Sequence, residues 1–442
     1  MYPEPLPVIF IARRPRGGDG DWQRARSWLG GLPRLGSQTW PRSPKGGEPM
    51  YFMAQIDLAD VARQTGPANL PSSGSLAFFI SRHGECAVIE VRESSTPRPT
   101  AQPADAPVAY RPGMYGHEMP DNATADEPSP RTFPYWPIDL TRISVPPRPP
   151  GIYDDDDDAA DAARAAAVAE VQGIAPLRQY DLGPSTMARV LGDDRPLPLW
   201  WHTAQTYVLL LKVALQNAPR LISARQPNLD AARKALQKAS GGTLGAFSRA
   251  IGTRNEAYDK AAQDVARIEK LIAAVETATP RFRRYVEEAE QFVAGKSSWD
   301  EMRPHDIEAA TRLFARAQDE FEEFVRYYAS YDWRELSSDT TKAMVAADDA
   351  VYAKVPEPVR SLIDSDFRSS CGVWHQMFGE PLSIQDSAAS AYDDGNILLL
   401  QLVHDDMMHW RFGDNGATYF FISPADLARR NWTGVKVMFE CH

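Results

Sequence analysis

Cysteine is scarce: Cys86, Cys371 and Cys441 are the three in 442 residues. They are too few and too scattered for a disulfide framework, which points to a reducing compartment. Long apolar runs are missing too. The stretch from Tyr207 to Leu215 is interrupted by Lys212 and is far too short to span a bilayer. Near the N-terminus, the short run from Val8 to Ala12 precedes its arginines, the reverse of a secretory signal. Positive charge is in deficit. A net charge of −11 leaves no general basic face for phosphate backbones, which excludes general nucleic-acid binding. No membrane segment, catalytic signature or cofactor signature stands out, so no cofactor and no catalytic residue is assigned. The expectation is a soluble, cytoplasmic protein, and 43% hydrophobic content is ample for a core.

What is present is an internal echo. Near the N-terminus the chain carries Gly31-Leu-Pro33, then Gln55 closing the apolar run from Tyr51, then Gly74-Ser-Leu-Ala-Phe78-Phe79-Ile80-Ser81. Near the C-terminus Gly379-Glu-Pro381, Gln401 after Ile397-Leu-Leu-Leu400, and Gly416-Ala-Thr-Tyr-Phe420-Phe421-Ile422-Ser423 return in the same order. Three matches in register read as duplication of a structural unit. Each copy has a run ending in glutamine, a polar loop, then a glycine before an aromatic run of strand length. Both glycines are read as turn formers where a Cβ would be opposed. Ser423-Pro424 is read as the cap and first residue of a short helix reaching Arg430.

These residues resemble the YwqG-like bacterial family, a domain of unknown function. The resemblance rests on Leu29-Gly-Gly-Leu-Pro33, Trp40-Pro41, Phe52-Met-Ala-Gln-Ile-Asp57, Leu398-Leu-Leu-Gln-Leu402, Phe412-Gly-Asp-Asn-Gly416 and Phe420-Phe-Ile422, covering roughly residues 25–90 and 370–442. The family's tryptophan before Gly-Asp-x-Gly is Phe412 here, with Trp410 two residues earlier. The resemblance implies an α+β, mainly antiparallel fold of two related halves, and no established reaction.

The expected organisation is α+β: a duplicated, mainly antiparallel β core with a large all-helical insertion between its halves. Residues 1–93 form the first half, with strands expected at Pro7–Ala12 and Ala87–Val91. Residues 94–153 read as a proline-rich linker or embellishment; the chain holds 36 prolines, above the average share of about 5%. It ends in the extended, polyproline-like Val145–Gly151. Residues 154–365 read as the helical insertion, opened by the acidic run Asp154–Asp158 before alanine-rich Ala159–Ala169. Within it, helices are expected from Trp200 to Gln216, from an Asn228 cap to Gly241, from Asn255 to Glu276, and again from Pro280 to Gly295. Ser298-Trp-Asp-Glu301 reads as a capping box. Ile307, Ala310, Phe314, Ala317, Phe321, Phe324 and Tyr328 repeat at 3-4 spacing, the seam of a helical hairpin. Residues 366–442 form the second half, closed by a strand from Val435 to Phe439.

Candidate chemistry is thin. His404, Asp405, Asp406 and His409 cluster with Asp414, which are the residue types of a metal site, but the spacing fits no metal signature and no metal is assigned. His375 beside Cys371 and Trp374 suggests a Cys–His nucleophile, with no partner to complete it. Gln55 and Gln401 hold the same place in both copies. Either each ties down loop backbone, or the two meet where the halves join and line a ligand cleft with Asp57, Trp410 and Asp414. The functional expectation is a non-enzymatic binding or protein-interaction protein, meeting a protein partner or another copy of itself through the helical insertion. The alternative is a hydrolase or metal-dependent enzyme built on the His/Asp cluster.

Overall fold

Short apolar runs with two-residue alternation make strands, and ten occur among the described residues. The computed structural model describes residues 6–17, 22–66, 70–92, 98–113, 123, 126–144, 166, 198–241, 256–329, 332–366 and 374–442. The strands are β1 (Ile9–Arg13), β2 (Trp28–Leu29), β3 (Tyr51–Asp57), β4 (Ser75–Ile80), β5 (Cys86–Val91), β6 (Trp136–Arg142), β7 (Gln376–Met377), β8 (Ile397–Val403), β9 (Ala417–Ile422) and β10 (Lys436–Glu440). They form one antiparallel sheet in the order β10-β9-β8-β7-β1-β6-β2-β3-β4-β5. The helices are α1 (Leu58–Thr65), α2 (Trp201–Ser223), α3 (Gln226–Gly241), α4 (Glu256–Val293), α5 (Pro304–Val325), α6 (Ser337–Ala346), α7 (Asp349–Tyr352), α8 (Glu357–Asp366), α9 (Asp386–Asp393) and α10 (Pro424–Ala428). The protein is thus α+β, with a large antiparallel sheet and a helical region between sheet strands in the sequence. The chain divides into a sheet unit, Met1–Leu197 with Ser337–His442, and a helical unit, Pro198–Leu336.

The sheet order reads alike from either end, and so does the register. Gln55 faces Ala77 across β3 and β4, and Gln401 faces Tyr419 across β8 and β9. The ladder slips once in each pair, between Phe52 and Ala54 and between Leu398 and Leu400. Beyond each pair the same backbone bond closes the turn: Leu58 N–H donates to Gly74 O, and His404 N–H to Gly416 O, both at 2.9 Å. Gly74 serves as expected and Gly416 does not. Gly74 has φ +87°, while at Gly416 the need is space, since a Cβ would sit 2.1 Å from Glu440 O.

Alternation sorts the side chains into two layers. Phe52, Ala77 and Phe79 pack beneath Trp28, Leu35 and Met50 on one face, and Leu398, Tyr419 and Phe421 pack against Ala388 and Ala391 of α9 on the matching face. The opposite faces meet each other, with Phe78 and Phe420 edge to face at 5.2 Å. The sheet therefore folds over on itself, and the Cys86 thiol of β5 lies 3.5 Å from Val435 O, just ahead of β10.

Within residues 94–153, read as a linker or embellishment, Trp136–Arg142 is a strand of the sheet. Trp136, Ile138 and Leu140 alternate through β6, which lies at the sheet centre between β1 and β2. The alternation is masked by Pro137, whose missing N–H is tolerated at the second residue of the strand while its carbonyl accepts from Arg14 N–H at 2.8 Å. Val145–Gly151, Asp154–Asp158, Cys371 and, Ala166 excepted, Ala159–Ala169 lie outside the described residues.

In the helical unit the aromatic stripe of α5 is core. Phe314 packs on Tyr207 of α2 at 4.6 Å, Phe324 on Phe282 of α4 at 4.5 Å, and Phe321 on Tyr285 at 5.2 Å. The expected break at Pro280 does not occur: α4 runs unbroken from Glu256 to Val293. A proline inside a helix costs about 3 kcal/mol, which burial of Val275, Phe282 and Tyr285 on either side of it offsets. The expected capping box is also displaced. The next helix starts at Pro304, where the Asp306 carboxylate accepts from Arg303 N–H at 3.3 Å and from its guanidinium at 3.0 Å. Among the described residues no helix is long and apolar enough to cross a membrane.

Candidate functional site

The end of β8 drives a charged segment into the sheet unit. Asp405, 2% exposed, accepts from Met407 and Met408 N–H at 3.0 and 3.3 Å through one oxygen. Its other oxygen accepts from the Arg13 guanidinium at the end of β1 and from His375 Nε2 at 2.8 Å. Val403 N–H donates to His375 Nδ1 at 3.1 Å, so the ring proton sits on Nε2 and the imidazole is neutral. Burial holds the His375 pKa below its ordinary value, outweighing the pull of Asp405. Burial would raise Asp405, but Arg13 and then His375 outweigh it and hold the carboxyl far below the usual range.

A second buried group lies beside the first. Lys342 of α6 is buried between Asp406, 2.8 Å away, and Asp339, 3.5 Å away. Asp339 also accepts from Gly113 N–H. His409, in a left-handed conformation, stacks on Tyr110 at 4.1 Å, and burial pushes its pKa down to about 4. The cluster is thus divided by its partners: Asp405 on Arg13 and His375, Asp406 on Lys342, His409 on Tyr110. Asp414 lies in an exposed turn. Among the described residues no three His, Cys, Asp or Glu side chains are placed to hold a metal ion. The four donors on Asp405 occupy both its oxygens, whereas a base or nucleophile needs an open approach to a substrate atom.

The glutamines do not meet. Gln55 lies on the Phe79 face, where Arg34 N–H donates to its carbonyl at 2.8 Å and its amide donates to Arg34 O and Ser75 Oγ. Gln401 lies on the Phe421 face, where Leu382 N–H donates to its carbonyl at 2.8 Å and its amide donates to Trp374 O at 2.9 Å. Because the inner layer of phenylalanines separates these faces, each glutamine ties down its own loop, and the cleft expected between them is not formed by their side chains. Asp57 caps α1 by accepting from Asp60 N–H and pairs with Arg26. Trp410 is buried against His375, Phe133 and Phe412. No hydrogen bond joins any two of the five among the described residues. Gln401→Ala is expected to lower stability by about 2–4 kcal/mol, as two buried backbone groups lose their partners. Gln55→Ala is expected to cost less, since Arg34 is half-buried and water can reach its backbone. Urea midpoints measure both; a smaller loss at Gln401 than at Gln55 would contradict this account.

A cleft does open where the first and second halves approach, at another place. It has a volume of about 540 Å³ and runs along β5 from Val88 to Arg92, between the Leu35–Gln38 loop and Arg430–Thr433. Inside it Glu90, 9% exposed, accepts from Trp432 Nε1 at 2.9 Å and from Arg430 through two nitrogens. Arg92 Nε approaches the same carboxylate at 3.3 Å, with its side chain 74% exposed. Arg430 has φ +55°, a conformation costing a non-glycine residue about 1 kcal/mol or more that neighbouring contacts must offset. Volume and mixed lining suit a ligand site. Glu90 was readable as the one charged residue inside the apolar run Ala87–Val91; Arg430 and Trp432 carry no such local signal.

No curated protein matches this chain. A family model described as a domain of unknown function, DUF1963, matches residues 27–145 and 237–441, which takes in both walls of the cleft and every strand but the first. With both matched segments together spanning well over half of its residues, the chain belongs to the DUF1963 family, a domain of unknown function.

Proposed function

We propose that this protein is a non-enzymatic binding protein of YwqG-like type, built from two halves of one duplicated unit, which takes its ligand in the cleft beside β5. The observation that carries the reading is the cleft itself: about 540 Å³, with a buried carboxylate held by Trp432 and Arg430. Matching registers, matching ladder slips and matching turn bonds in β3–β4 and β8–β9 support the duplication. The saturated hydrogen bonding of Asp405 and the pairing of Asp406 with Lys342 support binding over catalysis, because these groups are engaged within the chain.

Native mass spectrometry of protein purified gently from its own cells tests the reading. The wild-type chain is expected to carry a retained species. Ser37→Trp, on the exposed wall of the cleft, is expected to lose that species while keeping the thermal midpoint of the wild type. A chain that carries nothing beyond its own mass, or a species that survives the block, overturns it.

A further inference from the structure

We propose that the occupant of this cleft is an extended peptide segment of another protein, added as a strand along β5 with an acidic side chain set against Arg92 and Arg430. The inference rests on the cleft being the binding site and names what it binds. Four consecutive residues of β5, Val88 to Val91, line the cleft. Successive side chains of a strand point to opposite faces, and here Ile89 and Val91 share the Phe79 face while Val88 and Glu90 share the Phe78 face. A wall that takes all four is the edge of the strand, not a face. β5 ends the sheet order, so the alternate N–H and C=O groups that do not pair with β4 are directed toward this space. An open edge is a template for a further strand, which main-chain hydrogen bonds hold and side-chain contacts select.

Length and charge narrow the occupant. From Val88 to Arg92 the edge runs about 14 Å, which matches roughly five extended residues. The charged residues that line the cleft are Glu90, Arg92 and Arg430. Among the described residues these three leave one net positive charge, in a chain whose net charge is −11. A carboxylate is the complement, and Arg92 is exposed enough to turn from Glu90 and meet it.

The test is a displayed library of random seven-residue peptides selected against the full-length chain. Enriched peptides are expected to share a glutamate or aspartate and to lack proline at alternating positions. An enriched peptide is expected to bind about tenfold more weakly to Arg92→Gln, and amidation of its acid is expected to weaken it as much, with no further loss when both are combined. It should fail to bind Ser37→Trp. No enrichment, enriched peptides without an acid, or peptides that bind both variants like the wild type overturn the proposal. Small carboxylates such as glutarate are run in parallel, watching the Trp432 indole signal by NMR. A response to glutarate in the absence of cleft-dependent peptides refutes strand addition while leaving the binding cleft standing. Silence in both, with no retained species by mass spectrometry, removes both readings.

Discussion

Asp405→Ala is expected to destabilise the sheet unit by about 3–5 kcal/mol, the range for removing one partner of a buried ion pair. Asp405 is the carboxylate that Arg13 and His375 face, and it accepts two backbone N–H groups as well. Its loss strips those donors at once and leaves the Arg13 guanidinium buried beside the Trp136 ring without this carboxylate. Because Arg13 ends β1, His375 precedes β7 and Asp405 follows β8, the damage falls on the seam between three strands. Asp405→Asn keeps the shape and loses the charge, so a similar though smaller loss is expected. The pair Arg13→Met with Asp405→Leu is expected to recover only the part due to the stranded guanidinium, since His375 and the Met407 and Met408 N–H groups still lose their acceptor. Chemical unfolding of the four proteins decides the matter. If Asp405→Ala costs under about 1 kcal/mol, the typical figure for an exposed pair, the network does not hold the seam.

Acidification should weaken the fold well before most carboxylates titrate. Burial holds His375, His404 and His409 below the ordinary histidine value, the last at about 4. The unfolded chain therefore takes up protons at these residues near pH 6.5, while the folded chain does not. Their contribution is fully present above pH 6.5, falls as pH drops through the window toward 4, and levels off below the folded values. For His409 alone the shift corresponds to about 3 kcal/mol as an upper figure. Asp405 and Asp339 act lower: both are held down in the fold, so their contribution stands above the ordinary carboxylate value and is lost only below it. Urea midpoints measured from pH 7.5 to 4.5 should fall steadily, and His409→Gln should flatten the slope. A level profile across that range would contradict the burial of neutral imidazoles.

The core strands were legible because their chemistry is local. Phe78-Phe79-Ile80 and Phe420-Phe421-Ile422 announce strands by composition, and Ser423 before Pro424 announces a helix start by position, whereas the cap at Asp57 was not among the expected helix starts. The glutamines were legible as a pair, with loop anchoring and a shared cleft both open as roles; the choice between them waited on the face on which each lies, which depends on a single slipped residue in its ladder. β6 was hidden by prolines whose missing donors matter only once the neighbouring strand is known. The cleft and the buried ion pairs were beyond reach for a different reason. Glu90 meets Arg430, and Arg13 meets Asp405, across hundreds of intervening residues, and nothing local in either partner specifies the other.

The placement of β1 has a consequence for synthesis. Made before the other nine strands, it pairs on one side with β6, but its other partner, β7, is made only after the whole helical unit has followed: Ile9 awaits Met377. The sheet is therefore of high contact order, and its centre cannot close before Met377 has been made. The helical unit, rich in local contacts, can form first and leave the early strands waiting with an open edge beside them. Residues 366–442 produced alone would lack the strand that flanks β7, so that part of the sheet depends on Ile9 and Phe10 for its inner border.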